Sequence, residues 1–201
     1  MRSIRSVLLI GAIFVSQGAL SFASPPKLVP GTYTIDPSHS KVGFEVPHMV
    51  ISTVEGRFKT FDGIVVIGET LDKSKVEATV QTASIDTGNE KRDDHLRNED
   101  FFKSEEFPVM TFKSKSISGK ADALKVKGDL TLKGVTKEVL LSGKYLGTVP
   151  NGKGIPTAAF EGKTKINRKD FGLTYNKLIE VGPAVGDTVT ILLKIEANKK
   201  P

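Results

Sequence analysis

The chain has 201 residues, with 29 Lys plus Arg against 23 Asp plus Glu, three His, and neither Cys nor Trp. That length suits one domain with at most a short appendage, and 38% hydrophobic with 26% charged residues is the composition of a folded protein. The lack of Cys excludes thiolate zinc sites, iron–sulfur clusters, CxxC redox chemistry and thiol nucleophiles.

Arg2 and Arg5 precede an apolar run from Val7 to Val15, and Ser21-Phe22-Ala23 places small residues at −3 and −1 before Ser24. This order predicts a secretory signal peptide over residues 1–23; the run is too short for a membrane span, which needs roughly 20 apolar residues. The compartment this predicts is the bacterial periplasm. Residues 24–30, with three prolines, read as a flexible lead without a packing pattern. Nucleic acid is not an expected partner, because the lysines are spread along outward strand faces rather than gathered in a stripe with aromatics.

A single β domain is predicted over residues 31–198. From Tyr33 onward the apolar period is two: Val42, Phe44 and Val46 alternate with Lys41, Gly43 and Glu45, and Val76, Ala78 and Val80 with Lys75, Glu77 and Thr79. The same alternation sets Leu124, Val126, Gly128, Leu130 and Leu132 against Lys125, Lys127, Asp129, Thr131 and Lys133. Val189, Ile191, Leu193, Ile195 and Ala197 close the chain in the same way. Such strands bury one face and wet the other. Further strands are expected over 53–67, 107–118, 135–146 and 157–167, with turn signals at Asp62-Gly63, Lys133-Gly134 and Asn151-Gly152.

Sheets apolar on one face must stack or close. Periodicity leaves a filled sandwich and a closed barrel both open. Small inward residues, among them Ala78, Gly128, Gly143, Ala158 and Gly162, favour an eight-stranded antiparallel barrel around a cavity. One segment breaks the rhythm. Thr87-Gly-Asn-Glu90 fits a capping box and predicts a short helix near residues 89–99, with Arg92, His95, Leu96 and Glu99 on one face across the barrel mouth.

Sequence signatures of catalysis are missing: there is no GxSxG, HExxH, GxxxxGK[ST] or GxGxxG. Three histidines, His39, His48 and His95, fit polar rim groups better than a metal site, so no metal is expected. Phe44, Phe112 and Phe160 share the inward parity of their strands. Lining a barrel beneath Arg92 and His95, they suit a ligand with a long apolar tail and a polar or anionic head.

The run Tyr33-Thr-Ile-Asp-Pro-Ser-His-Ser-Lys-Val-Gly-Phe44 followed by His48, then Gly56-Arg-Phe58, Phe61-Asp-Gly63 and Ala83-Ser-Ile-Asp-Thr-Gly-Asn-Glu-Lys-Arg-Asp-Asp-His-Leu96, resembles the YceI-like family of polyisoprenoid-binding proteins. The likeness continues through Asp100-Phe-Phe102, Phe107-Pro108, Thr111-Phe-Lys-Ser114, Gly128-Asp-Leu-Thr131, Gly134-Val-Thr136 and Ile166-Asn-Arg-Lys-Asp-Phe-Gly172. It implies an all-β, lipocalin-like barrel whose pore holds an extended isoprenoid, in a protein exported to the periplasm. Family ligands include polyprenyl phosphates, quinones and fatty amides. Pro47 departs from the basic residue that usually precedes His48. The tail is then expected against Phe44, Met110, Phe112 and Phe160, and the head group at a rim of His39, His48, Arg92 and His95. A guanidinium or protonated imidazole there gives charge-assisted hydrogen bonds to a phosphate. No cofactor is expected beyond the bound lipid or quinone, and transient membrane contact is expected. Two other readings stand beside this one: a head-group enzyme with His95 as base oriented by Asp93 or Asp94, and a protein-binding stress factor using loop 147–157.

Overall fold

The computed structural model describes residues 26–49, 51–179 and 182–201; the signal peptide expected over 1–23 lies outside the described residues. In chain order the elements are β1 (Gly31–Ile35), β2 (Lys41–His48), β3 (Ser52–Phe58), β4 (Phe61–Ile67), β5 (Lys75–Gln81), β6 (Ile85–Asp86), α1 (Glu90–Arg97), β7 (Val109–Lys120), β8 (Ala123–Leu132), β9 (Val135–Pro150), β10 (Pro156–Asn167), β11 (Leu178–Ile179), β12 (Gly182–Pro183) and β13 (Thr188–Lys199).

Eight strands close a ring in the order β1-β4-β5-β7-β8-β9-β10-β13, all antiparallel, with β13 pairing back onto β1 through Tyr33↔Lys199 and Ile35↔Ala197. The predicted eight-stranded antiparallel barrel with one short helix is therefore the observed fold. Over its first half β13 instead pairs with β2, which carries β3 and the short β6 outward as a flap. The chain between β1 and β2 bends at Asp36–Ser40, where Asp36 accepts the backbone N–H of Ser38 at 2.9 Å. The flap and α1 together line one end of the barrel interior. α1 covers that end.

Inward parity holds along the long strands. Leu124, Leu130 and Leu132 of β8 are buried, and Ile191, Leu193 and Ile195 of β13 face the lumen. Ala78, Gly143 and Gly162 also face it, so small side chains leave the interior open where large ones would fill it. Lys133 and Gly134, both at positive φ (49° and 74°), make the two-residue turn between β8 and β9 that right-twisted hairpins favour.

Three expectations are corrected. The segment 53–67 is two strands broken at Lys59-Thr60, where the chain passes from the flap strand β3 to the ring strand β4. Asp62-Gly63 is not the turn; it lies within β4, where a Cβ on Gly63 would come 2.7 Å from Ile35 Cδ1 and from the Glu77 carbonyl. Glycine serves close strand approach at this point. Thr87 does not cap α1. The N-cap is Asn89, whose side chain accepts the Arg92 N–H at 3.1 Å, while Thr87 is drawn onto Asp93. The lead also does more than expected: Leu28 packs on the core cluster of Tyr33, Ile67, Tyr145 and Ala158.

Candidate functional site

The barrel interior holds two chambers. The inner one, about 220 Å³, is lined by apolar side chains from every ring strand, including Phe112, Phe160, Leu193 and Tyr145. The outer one, about 340 Å³, lies beneath α1 and opens towards the β2–β3 turn and the segment 173–187. Val42, Met110 and Ile191 line both, so the chambers meet at that waist. Together they fall within the few hundred to about 1,000 Å³ that small-molecule sites occupy. Polarity is graded along the axis: the inner chamber is almost wholly apolar, and the cations stand around the outer one.

The four tail candidates fall into this space, with Phe44 in the outer chamber, Phe112 and Phe160 in the inner, and Met110 at the waist. Phe44 stacks towards Phe58 at 5.7 Å between ring centroids, and Phe58 meets Phe102 edge-on at the same distance. Of the rim candidates, Arg92, His95 and His48 line the outer chamber. His39 does not join them. It is exposed in the β1–β2 bend, bonded through Nδ1 to Asp36 at 3.0 Å, and that carboxylate raises its pKa above the usual imidazole value.

Arg92 is held from behind. Its Nε donates to Thr87 Oγ1 at 2.7 Å and its Nη2 to the Thr87 carbonyl at 2.9 Å. The buried Asp93 in turn accepts from the Thr87 N–H at 2.9 Å and its hydroxyl at 2.5 Å. Among the described residues no carboxylate lies within ion-pair distance of the Arg92 guanidinium, which leaves three of its five N–H donors for a ligand. His95 has a partner, but neither Asp93 nor Asp94. Asp93 belongs to Thr87, Asp94 pairs with Arg97 at 2.6 Å, and His95 Nε2 bonds Asp100 at 2.7 Å. The chain turns back after α1 and so brings Asp100 against His95. The His95 ring is flanked edge-on by Phe101 and Tyr175 at 5.1 and 4.8 Å.

A profile of the YceI-like domain family matches residues 33–197. The chain belongs to the YceI-like family. It is 37% identical to protein YceI of Escherichia coli O157:H7 over 191 residues, covering 94% of this chain and 95% of that one. A YCEI protein of Campylobacter jejuni superposes with a TM-score of 0.67 at 31% identity, covering 75% of this chain and 88% of that one. The structure of a polyisoprenoid binding domain from Saccharophagus degradans shares the fold, with a TM-score of 0.61 at 17% identity over 84% of this chain and 98% of that one.

Within this YceI-like barrel, three groups that sequence reasoning did not select stand at the outer chamber: Lys177, Tyr175 and Arg168. Arg168 is 3% exposed and spans the segment that forms one wall of the mouth. Its Nε donates to the Gly186 carbonyl at 2.9 Å, and Nη1 to those of Leu173 and Tyr175 at 2.5 and 2.8 Å. Nη2 reaches the Val185 carbonyl at 3.3 Å and Asp187 at 3.2 Å. The charged cluster Asn167-Arg-Lys-Asp170 gives no local sign of burial, since every one of Arg168's acceptors lies at least five residues away.

Proposed function

We propose that this protein binds a long-chain amphiphile of the isoprenoid class, a polyprenyl phosphate or quinone, and carries or stores it after export to the periplasm. The observation that carries the reading is the polarity gradient: an apolar lumen in two joined chambers, with Arg92, His48, His95 and Lys177 only at its outer end. A tail moved from water into such a lumen gains roughly 0.8 kcal/mol per CH₂. The head group meets the free donors of Arg92 at the rim. The membership in the YceI-like family and the ligand named for the Saccharophagus degradans domain agree with this reading. The reading is one of binding, supported by the family match and by the ligand named for the Saccharophagus degradans domain; the enzyme alternative loses the orienting residues it named, since His95 bonds Asp100 and neither Asp93 nor Asp94.

Native mass spectrometry of the chain purified from a bacterial periplasm without detergent tests it. The expected result is one stoichiometric isoprenoid, identified in an organic extract. A fatty acid or amide would keep the lipid lumen and overturn the isoprenoid assignment. A clean apo mass that persists after incubation with prenyl phosphates and quinones would overturn lipid binding and favour a protein partner.

The ligand is taken up from a bilayer in transient contact. Two hairpins meet beside the mouth, joined by the Met49 N–H donating to the Ala184 carbonyl at 3.0 Å and by a bridge between His48 and Val185. They present Ile51, 89% exposed, and Leu178, 83% exposed. Burying two such side chains in lipid is worth a few kcal/mol at most. Ile51→Asp combined with Leu178→Asp is expected to slow ligand uptake from phospholipid vesicles by about tenfold or more while leaving the melting temperature unchanged. Uptake at the wild-type rate would remove Ile51 and Leu178 from the loading route.

A further inference from the structure

We propose that the strap preceding β1, with Leu28 at its centre, is a stop that fixes the longest tail the lumen accepts. This rests on the lipid-binding reading above and adds a length limit to it. The strap reaches the inner chamber through Leu28. Leu28, Tyr145 and Phe160 line this chamber and take no part in the outer one. Leu28 precedes the first ring strand, so its place in the chamber wall comes from the lead and not from a strand of the ring. Its side chain packs on a cluster whose members Tyr33 and Tyr145 are at most 1% exposed.

The strap is fastened to the ring. Tyr33 donates its hydroxyl to the Val29 carbonyl at 2.9 Å, and burial pushes that phenol above its ordinary pKa, so the donor stays protonated. Pro26 and Pro30 bracket the segment, and each ring fixes a backbone φ. On the facing side Tyr145 stacks on Phe160 at 5.4 Å, and its hydroxyl lies 2.6 Å from Thr148 Oγ1. A tail threading inward past Met110 and Phe112 thus meets fastened aromatic and aliphatic groups instead of solvent. Any isoprene unit beyond that point must remain at the mouth, in water, where burial gives it nothing.

Leu28 is the part of the stop that can be altered without touching the ring. Leu28→Ala removes side-chain carbons from the end of the lumen, and Leu28→Trp adds them. The test measures binding of ubiquinones and polyprenyl phosphates of graded tail length to the full chain and both variants, by native mass spectrometry, with melting temperatures read alongside. The wild type is expected to gain affinity with tail length up to a limit and then to level off. That limit moves outward by about one isoprene unit in Leu28→Ala and inward by a similar step in Leu28→Trp. Phe160→Leu, at a residue packed against the same cluster as Leu28, is expected to move it outward as well. An unchanged limit in variants that still bind would overturn the stop and leave the carrier reading standing. Failure of the wild type to bind any tail of either head group would overturn the carrier reading and the stop with it.

Discussion

Arg168→Met is expected to lower stability by about 3 kcal/mol or more and the melting temperature by about 10 °C, although it replaces a charged group with an apolar one of similar length. A buried apolar side chain is ordinarily no penalty. Here the guanidinium is the hydrogen-bond partner of four backbone carbonyls, those of Leu173, Tyr175, Val185 and Gly186, and of the Asp187 carboxylate. Removing it leaves acceptors without donors, and each such group in a dry environment costs about 1–3 kcal/mol. Some of these carbonyls can recover water, which is why the expected loss is well below the sum. The same carbonyls belong to the segment that walls the outer chamber through Leu173, Tyr175 and Val185. Ligand binding should therefore weaken together with stability. Arg168→Lys keeps the charge but has no planar fork, so it is expected to recover only part of either. Chemical denaturation of the three proteins decides the matter; a loss under about 1 kcal/mol in the Met variant would show that the mouth wall holds without the guanidinium.

The same network gives a pH dependence with a definite sign. Asp187 is held below the usual carboxylate range, first by the hydrogen bond from Lys169 and then by the charges of Lys169 and Arg168. A carboxylate whose folded pKa is depressed contributes stability above its unfolded value, near 3.9, and loses it as pH falls through the lower folded value. Asp187 is 42% exposed, so the effect is modest. It is expected as a fall in melting temperature below about pH 4 that is smaller in Asp187→Asn.

Parity along the strands was enough to place most of the lumen. Val42, Phe44, Phe112, Phe160 and Ile191 all face inward because the side-chain period of a strand is two, and a regular strand preserves that across its length. Where the backbone departs from regularity, the pattern loses its meaning. The bend at Asp36–Ser40 carries His39 out to solvent, away from a rim to which the adjoining strand delivers His48. The bulge between Ser114 and Ser116 resets the parity of β7, so that Ile117 becomes inward after Phe112. The polar contacts were the least legible. A capping box is a local pattern, and Thr87 satisfies it on paper. Its hydroxyl instead gives a shorter bond to Asp93, and Asn89 is free to cap. The partner of His95 could not come from helical spacing, because Asp100 lies beyond the end of α1 and is returned by a turn whose geometry depends on Phe101 and Phe102 packing into the core. Arg168 is the extreme case, since nothing but the closed fold brings its acceptors to it. The wall of the lumen follows from periodicity, while the polar rim follows from turns.

Met110→Trp is expected to reduce affinity for the proposed long-tailed ligand by more than a hundredfold while the barrel stays folded. Met110 lies at the waist, facing both chambers together with Val42 and Ile191. An unbranched thioether there adapts to a tail passing over it, whereas an indole fills the passage. The apolar space around the waist is open, so the larger side chain has room at a strain cost of about 1–3 kcal/mol, partly offset by its own burial. The ligand suffers more. If the inner chamber is shut off, every methylene that would have occupied it stays in the outer chamber or in water. Losing as few as four at roughly 0.8 kcal/mol each removes about 3 kcal/mol of binding, and each 1.4 kcal/mol is a factor of ten. Met110→Ala should act in the opposite sense on access, widening the waist and costing the ligand less than tenfold. Head-group contacts at Arg92 are untouched in both variants, so short-tailed analogues that reach only the outer chamber should bind Met110→Trp and the wild type alike. Tail-length-dependent loss in the Trp variant, with short-tail binding preserved, is the signature of two chambers in series. Equal loss for short and long tails would mean that the ligand does not pass Met110, and would confine its site to the outer chamber.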